Sequence, residues 1–379
     1  MPKENQDSKE TAFKNWINDA VVDLYVSNLK KVNPQLRLKP LLSAKASLKS
    51  LELRDRVRLI ADELNRVLPK DFSAALDLLR EAVDRGNIEG FALWPATEFV
   101  QRYGLGHFDL SLDMMKQWTC RFTAEFAVRP FIARDQKRTL RYLHLVAQSP
   151  NVHHRRWASE GSRPRLPWGE RLQQLVLDPR PTLDLLEKLK FDPELYVRKS
   201  VSNHLNDIAK DHPQLVIQTL RRWSREVPPH YVREFQFILR QSLRTLIKAG
   251  YPDALKLMGV KAGDPQLQLR AVRVLNSKVS TQKDRSLLEF EVTVQNGSAS
   301  KKNFVLDYVI HHLKANRQHS PKIFKLKTGS LKPHEKKVFK KAHSFKPVTT
   351  RQYYAGTQYL EIKLNGQGSR RVPFELEIR

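Results

Sequence analysis

A chain of 379 residues is too long for one compact core and suits two domains of ordinary size. It carries 67 Lys and Arg against 40 Asp and Glu, a formal charge of +27. Self-repulsion of that size opposes compaction and points to a polyanionic partner, either nucleic acid or an anionic membrane surface. No apolar run approaches the roughly 18 to 20 residues of a membrane-spanning helix, and the opening MPKENQDSKE lacks a hydrophobic signal core. Nucleic acid is therefore the favoured partner. The single cysteine, Cys120, leaves no intrachain disulfide framework, zinc ribbon or iron–sulfur cluster, and fits a reducing cytoplasm.

From Lys9 to about Val260 the apolar spacing is helical. Phe13, Trp16, Ile17, Ala20 and Leu24 predict one helical stripe; Val197, Val201, Leu205 and Ile208 predict another, and Val216, Leu220 and Trp223 a third. Pro213, after Asp211 and His212, marks a helix start, while Leu177-Asp178-Pro179-Arg180-Pro181 and Val227-Pro228-Pro229 are breakers. His154-Arg155-Arg156-Trp157, Val197-Arg198-Lys199-Ser200 and Val232-Arg233-Glu234-Phe235 each open a helix, at spacings of 43 and 35 residues. That is the range of two-helix HEAT-type repeats, which stack into a curved solenoid; an irregular helical bundle fits as well.

After Lys261-Ala262-Gly263-Asp264-Pro265 the period becomes two. Phe290, Val292 and Val294 alternate with polar residues, and Asn296-Gly297-Ser298 marks a turn. Further strands are predicted at 304–310, 322–327, 336–340, 359–364 and 372–376, with Asn365-Gly366 as a second hairpin signal. Six or seven short strands over the last 114 residues suggest an antiparallel sandwich of immunoglobulin type. Residues 266–379 hold 23 basic and 8 acidic residues, a net +15, which makes this region the denser cationic surface and a candidate electrostatic clamp.

Phe91-Ala92-Leu93-Trp94-Pro95, Thr123-Ala124-Glu125-Phe126, Arg155-Arg156-Trp157-Ala158-Ser159-Glu160-Gly161, Arg163-Pro164-Arg165-Leu166-Pro167-Trp168 and the run from Val197 to Asp207 are long, specific segments, and together they resemble the AlkC family of DNA alkylation repair glycosylases. Asp307-Tyr308-Val309-Ile310-His311-His312, Lys322-Ile323-Phe324-Lys325-Leu326 and Thr349-Thr350-Arg351 extend the likeness to the subgroup with a C-terminal immunoglobulin-like domain. The resemblance implies a HEAT-like α-solenoid catalytic domain at 1–260 and an immunoglobulin-like DNA-binding domain at 266–379. It also implies a monofunctional glycosylase that removes cationic alkylated bases, 3-methyladenine and 3-methylcytosine, from double-stranded DNA without fully flipping them. Glu125, Glu160 and Asp207 would be its catalytic carboxylates, with Trp168 beside the lesion. No cofactor or metal is expected, and a monomer suffices to grip one duplex in the bacterial cytoplasm, nucleoid-associated through its DNA.

The chemistry suits such acids. An N3-alkylated base is already cationic and leaves without a general acid, whereas the sugar develops oxocarbenium character that nearby carboxylates stabilise while orienting water. At 100° per residue, Asp207 and Asn203 fall outside the apolar arc and share a face with Ser200 and Tyr196, so Asp207 is expected off the core and free to face a groove. Glu160 precedes Gly161, an expected helix stop, which sets its charge at the unfavourable end of the dipole. From spacing alone all three acids read as solvated; the family resemblance assigns them function. Arg198 and Lys199 oppose the dipole at a helix start, which phosphate contacts would explain. With Arg156, Arg163, Arg165 and Trp168 they make up the DNA-binding set of the helical half. Thr349, Thr350 and Arg351, flanked by Lys346 and Tyr353-Tyr354, suit sugar–phosphate contacts or minor-groove insertion. His153-His154 and His311-His312 lack metal-ligand spacing, and no GxGxxG, P-loop, HExxH or nucleophile-elbow pattern occurs. The alternative is a non-enzymatic HEAT-repeat scaffold or DNA-binding protein, which has no use for acids facing phosphate.

Overall fold

The computed structural model describes residues 13–282, 286–348 and 351–378. They form two compact units that divide between Asp211 and His212.

The first unit is helical. Its longer helices are α1 (Asp19–Val32), α2 (Leu53–Val67), α3 (Phe72–Arg85), α4 (Trp94–Tyr103), α5 (Phe108–Trp118), α6 (Gln136–Val146), α7 (Val152–Gly161), α8 (Arg180–Leu189) and α9 (Leu195–Ile208). Several start on a side chain that accepts an otherwise orphaned backbone N–H. Asn18 caps Ala20 at 3.0 Å, Asp71 caps Ala74 at 2.9 Å, and Asn151 caps His153 at 2.9 Å. Proline occupies the first turn of α4 and α8. Packing runs between second neighbours: α1 on α3, α2 on α4, α6 on α8 and α7 on α9. Two-layer stacking of helix pairs produces this pattern, and a HEAT-like array is built that way.

The α9 stripe of Val197, Val201, Leu205 and Ile208 is fully buried, as its spacing requires. The first expected stripe is not one helix. Asn18 is extended and caps α1, so Phe13–Trp16 forms a separate 3₁₀ turn. Phe13, Trp16 and Ala20 are exposed, and α1 buries Val21, Val22, Tyr25 and Leu29 instead.

The second unit begins with α10 (Pro213–Arg225) and α11 (Val232–Ser242), then the short helices Arg244–Ala249 and Pro252–Leu257. Among the described residues nine strands follow: β1 (Leu267–Val274), β2 (Lys278–Ser280), β3 (Leu287–Asn296), β4 (Lys302–Leu313), β5 (His319–Leu331), β6 (Lys336–Ser344), β7 (Gly356–Leu364), β8 (Gln367–Gly368) and β9 (Val372–Glu377). One sheet runs β1-β3-β6 and the other β2-β9-β7-β4-β5, with β8 on β7. Phe290, Val292 and Val294 from the first sheet meet Leu306, Tyr308, Ile310, Leu360 and Ile362 from the second, which is the interior of an immunoglobulin-like sandwich. Every described pairing is antiparallel except β2 with β9, where the chain leaves the first sheet after β1 and crosses to the second.

The short helices pack within this unit: Leu255 and Val260 form a small core with Val305. Asn365 of the Asn-Gly turn donates to the Lys261 carbonyl at 3.0 Å. Gly366, at φ +83°, lies so close to Gly250 that a Cβ there would stand 2.6 Å from the Gly250 Cα. That turn needs glycine for its φ and for its neighbour alike.

Candidate active site

Helix α7 with the loop after it, helix α9 and the turn that precedes Arg129–Arg134 bring the three expected carboxylates into one buried row with two guanidinium groups. Glu160 sits in the last turn of α7, and the helix's last residue, Gly161, has no room for a side chain: a Cβ there would fall 2.6 Å from Val128 Cγ1. The Arg163 Nη1 donates to Glu160 at 2.5 Å, while its Nε and Nη2 both reach Asp207 Oδ2 at 2.8 Å. The other Asp207 oxygen receives Lys210 at 2.9 Å, and the second Glu160 oxygen receives the Ser200 hydroxyl at 2.6 Å. Arg156, one turn before Glu160, lies 3.7 Å from it, pairs with Glu125 and lies 5.2 Å from the centre of the Tyr196 ring. Thr123 donates to Glu125 at 2.7 Å. The order along the row is Glu125, Arg156, Glu160, Arg163, Asp207, Lys210.

The expectation of solvated acids is corrected here. Glu125, Glu160 and Asp207 are 8%, 6% and 1% exposed. Asp207 does stand off the apolar stripe of α9, but its face turns inward: Ser200 and His204 on the same side are buried too, with His204 Nδ1 donating to the Ser159 carbonyl at 2.9 Å. Burial of ionised groups is tolerable only with such complete pairing. Burial works against the charge on Arg163, yet Glu160 and Asp207 more than compensate and raise its pKa. Burial also raises the pKa of Glu125, with Arg156 opposing it. Three guanidiniums, those of Arg163 and Arg129, both buried, and of half-buried Arg156, stand against the three carboxylates, with Lys210 partly exposed at the rim.

Arg129 is a part of the site that the sequence pattern did not reveal. It is 1% exposed and donates to the carbonyls of Gly161 at 3.0 Å, Arg163 at 2.8 Å and Glu170 at 2.7 Å, fixing the loop that carries Arg163 and Trp168. Burial, then the neighbouring Arg163, lowers its pKa to about 10. It stands at the first position of a short helix, Arg129–Arg134, where positive charge opposes the dipole. The same anomaly that singles out Arg198 is therefore present at Arg129, and is the signal that could have found it. Ser200 and Tyr196, which spacing set on the Asp207 face, belong to the site as well, and Thr123 is a further site residue that spacing does not single out.

The remaining expected residues are spread more widely. Trp168 is 58% exposed, takes a left-handed φ of +63°, and has its carbonyl held by Arg54 at 2.9 Å. Arg165 makes a two-point contact with Asp211 at 2.7 and 2.8 Å. Arg198 donates to the carbonyls of Asp192 and Pro193, a local contact that answers part of the dipole anomaly; Lys199 is exposed. In the second unit Arg351 donates to His312 Nε2. Thr349 and Thr350 lie outside the described residues. Geometry thus gives Arg156 and Arg163 the task of holding carboxylates.

Stacked helix pairs with a buried carboxylate–guanidinium row, followed by a lysine-rich immunoglobulin-like sandwich, define a two-part helical-repeat protein. Residues 44–246 match the DNA alkylation repair enzyme family, and residues 271–378 match the family described as uncharacterised protein YhaZ, C-terminal Ig-like domain. The chain belongs to the DNA alkylation repair enzyme family. It is 35% identical over 326 residues to the uncharacterized protein YhaZ of Bacillus subtilis (strain 168), covering 86% of this chain and 88% of that one. It is also similar to the Pseudomonas fluorescens alkylpurine DNA glycosylase AlkC, solved bound to DNA containing an abasic site analog. That match has a TM-score of 0.87 and 34% identity, over 97% of this chain and 99% of the other. No described helix is long and apolar enough to cross a membrane.

Proposed function

We propose that this chain is a DNA glycosylase that hydrolyses the N-glycosidic bond of cationic alkylated bases, 3-methyladenine and 3-methylcytosine, in double-stranded DNA. The observation that carries the reading is the buried row of Glu125, Glu160 and Asp207 strung between Arg156 and Arg163. The likeness to an alkylpurine DNA glycosylase over nearly the full length supports it.

The row matches what the reaction requires. The alkylated base leaves without protonation, so the need is for fixed negative charge near C1′ and a site for water. Glu160, locked by Arg163 and Ser200, supplies charge without rearrangement. Glu125 has one fewer cationic partner than Asp207 and a raised proton affinity, which suits it to orient and deprotonate the water. Asp207, the most buried of the three, holds Arg163 and through it Glu160. An acid row already buried in the helical unit can act on a lesion presented at its surface, in keeping with excision without full flipping. Trp168 and Lys199 on the helical unit, with Arg351 on the sandwich, would contact the DNA of a single duplex, for which a monomer suffices.

Chromatography of bases released from methylated DNA tests this reading. Glu160→Gln and Asp207→Asn should each slow release by about 10²- to 10³-fold while binding of abasic-site duplex persists. Full release by both variants would remove these residues from the mechanism. No release by the wild-type chain, with binding that only weakens as salt rises, would leave a DNA-binding scaffold.

A further inference from the structure

Trp168 combines two features that stability disfavours. More than half of it is exposed, and its φ of +63° lies in the left-handed region, where a bulky side chain is an outlier. The next residue is a glycine, yet the tryptophan and not the glycine takes this conformation. Gly169 answers a different need: a Cβ there would stand 3.1 Å from the Arg129 Nε. Backbone strain of this kind persists only where surrounding contacts over-determine it, and it gathers at functional sites.

Two arginines from distant parts of the chain supply such contacts. Arg129 holds the carbonyls of Gly161, Arg163 and Glu170, which fixes the loop where it leaves α7 and where it returns. Between those anchors the loop closes on itself. The Gly169 N–H donates to the Leu166 carbonyl and the Leu172 N–H to the Pro164 carbonyl, both at 3.1 Å. None of these contacts involves the Trp168 carbonyl. That group is held by Arg54, the second residue of α2, whose Nη1 donates to it at 2.9 Å across 114 residues of sequence. Holding this oxygen fixes the plane of the peptide that follows Trp168, and so the backbone twist from which the indole projects. The Arg54 head is itself steadied from below. Burial raises the pKa of Glu98 on α4, and the charges of Arg58 and then Arg54 oppose that rise, so the guanidinium lies near a buried carboxylate.

We propose that Arg54 is a positioning residue for base excision: by holding the Trp168 carbonyl it keeps that residue in its left-handed conformation and aims the exposed indole at the DNA beside the acid row. The proposal rests on the glycosylase reading, within which Trp168 meets DNA, and adds a residue that touches neither the lesion nor the acids. It requires no flipped base, since the indole has only to be held in place against an intact duplex. Trp168 follows Arg163, the central cation of the row, by five residues, so a fixed loop makes the row and the ring one rigid unit. With Arg54 removed, Trp168 relaxes toward an ordinary φ and its ring turns away. The row keeps its own pairing and its Arg129 anchor.

A double-mutant cycle on the full chain tests this. Single-turnover release of 3-methyladenine from a methylated duplex, at saturating enzyme, is measured for Arg54→Ala, Trp168→Ala and the two combined. Affinity for an abasic-site duplex is followed across a salt series for wild type and Arg54→Ala. Each single variant should release the base about tenfold more slowly. The combined variant should be slower than Trp168→Ala by no more than about twofold, because without the indole Arg54 has nothing to aim. The salt dependence of abasic-site binding should be the same for Arg54→Ala as for wild type. Losses that multiply in the combined variant would overturn the proposal, since Arg54 would then act independently of Trp168. Release at the wild-type rate by either single variant would overturn it too. So would a salt dependence shallower by roughly 0.9 in Arg54→Ala, which would make Arg54 a phosphate contact. Absence of release by the wild type would instead sink the glycosylase reading itself.

Discussion

The helical unit and the sandwich treat charge in opposite ways. Between α7 and α9, carboxylates and guanidiniums are withdrawn from water and each is held by named partners within 2.5 to 3.7 Å. On the sandwich, Lys336, Lys337, Lys340 and Lys341 stand exposed along β6. Buried charge is expensive to create and expensive to break, so it serves where geometry must not vary. Exposed charge contributes little to stability and responds to salt, so it serves where a partner must be attracted from any sequence. One unit is built for a reaction at a point, the other for a grip along a polyanion.

Removing Arg163 strikes the comparison hardest. Arg163→Met leaves Glu160 and Asp207 buried without their shared cation, at a cost of about 3–5 kcal/mol. The expected fall in Tm is on the order of 10 °C, with base release lost. A Tm within about 2 °C of wild type would show that the row does not depend on its central guanidinium.

Glu125 sharpens the same contrast with the opposite sign. Its pKa is raised in the folded chain, chiefly by burial. A carboxyl so shifted gives its full stability below the unfolded value and loses it as pH rises through the folded one, so at pH 7 its charge is a burden. Glu125→Gln should therefore raise Tm at pH 7 by a few degrees, and remove the part of the stability gain expected of the wild type as pH falls through the raised Glu125 value. Base release should fall at the same time. A lower Tm at pH 7 would mean that the Arg156 contact outweighs desolvation.

Legibility in sequence followed the same division. Strands β3, β7 and β9 were evident because one buried face enforces a period of two, and β4 because its apolar run is buried nearly throughout. β1 was not: it is a half-buried edge strand with a bulge between Leu269 and Ala271, and its alternation breaks there. The three acids could be assembled only through the family resemblance, since spacing makes an acid off the apolar stripe look solvated. What spacing cannot reveal is that α9 has two buried faces, one apolar and one polar. Ser200, His204 and Asp207 gain their burial from α7 and the loop after it, where Ser159, Glu160 and Arg163 lie 40 to 45 residues away in sequence. Arg129 was hidden for a different reason: its three carbonyl partners lie 32 to 41 residues downstream.

The smallest expected change in stability belongs to the lysines of β6. Changing Lys336, Lys337, Lys340 and Lys341 together to Gln removes four exposed charges, of which Lys337 lies 3.8 Å from Glu335. Exposed pairs of this length contribute about 0–1 kcal/mol, so Tm should move by no more than about 2 °C. DNA affinity should change far more, and its dependence on salt should become shallower by roughly 0.9 for each phosphate that is no longer neutralised. Base release at saturating DNA should be untouched, because these side chains neither build nor hold the acid row. A salt dependence identical to wild type would place the grip elsewhere on the sandwich and would break the contrast at its weaker half. A large fall in Tm would break it more deeply, since charge on this strand would then be structural, as it is between α7 and α9.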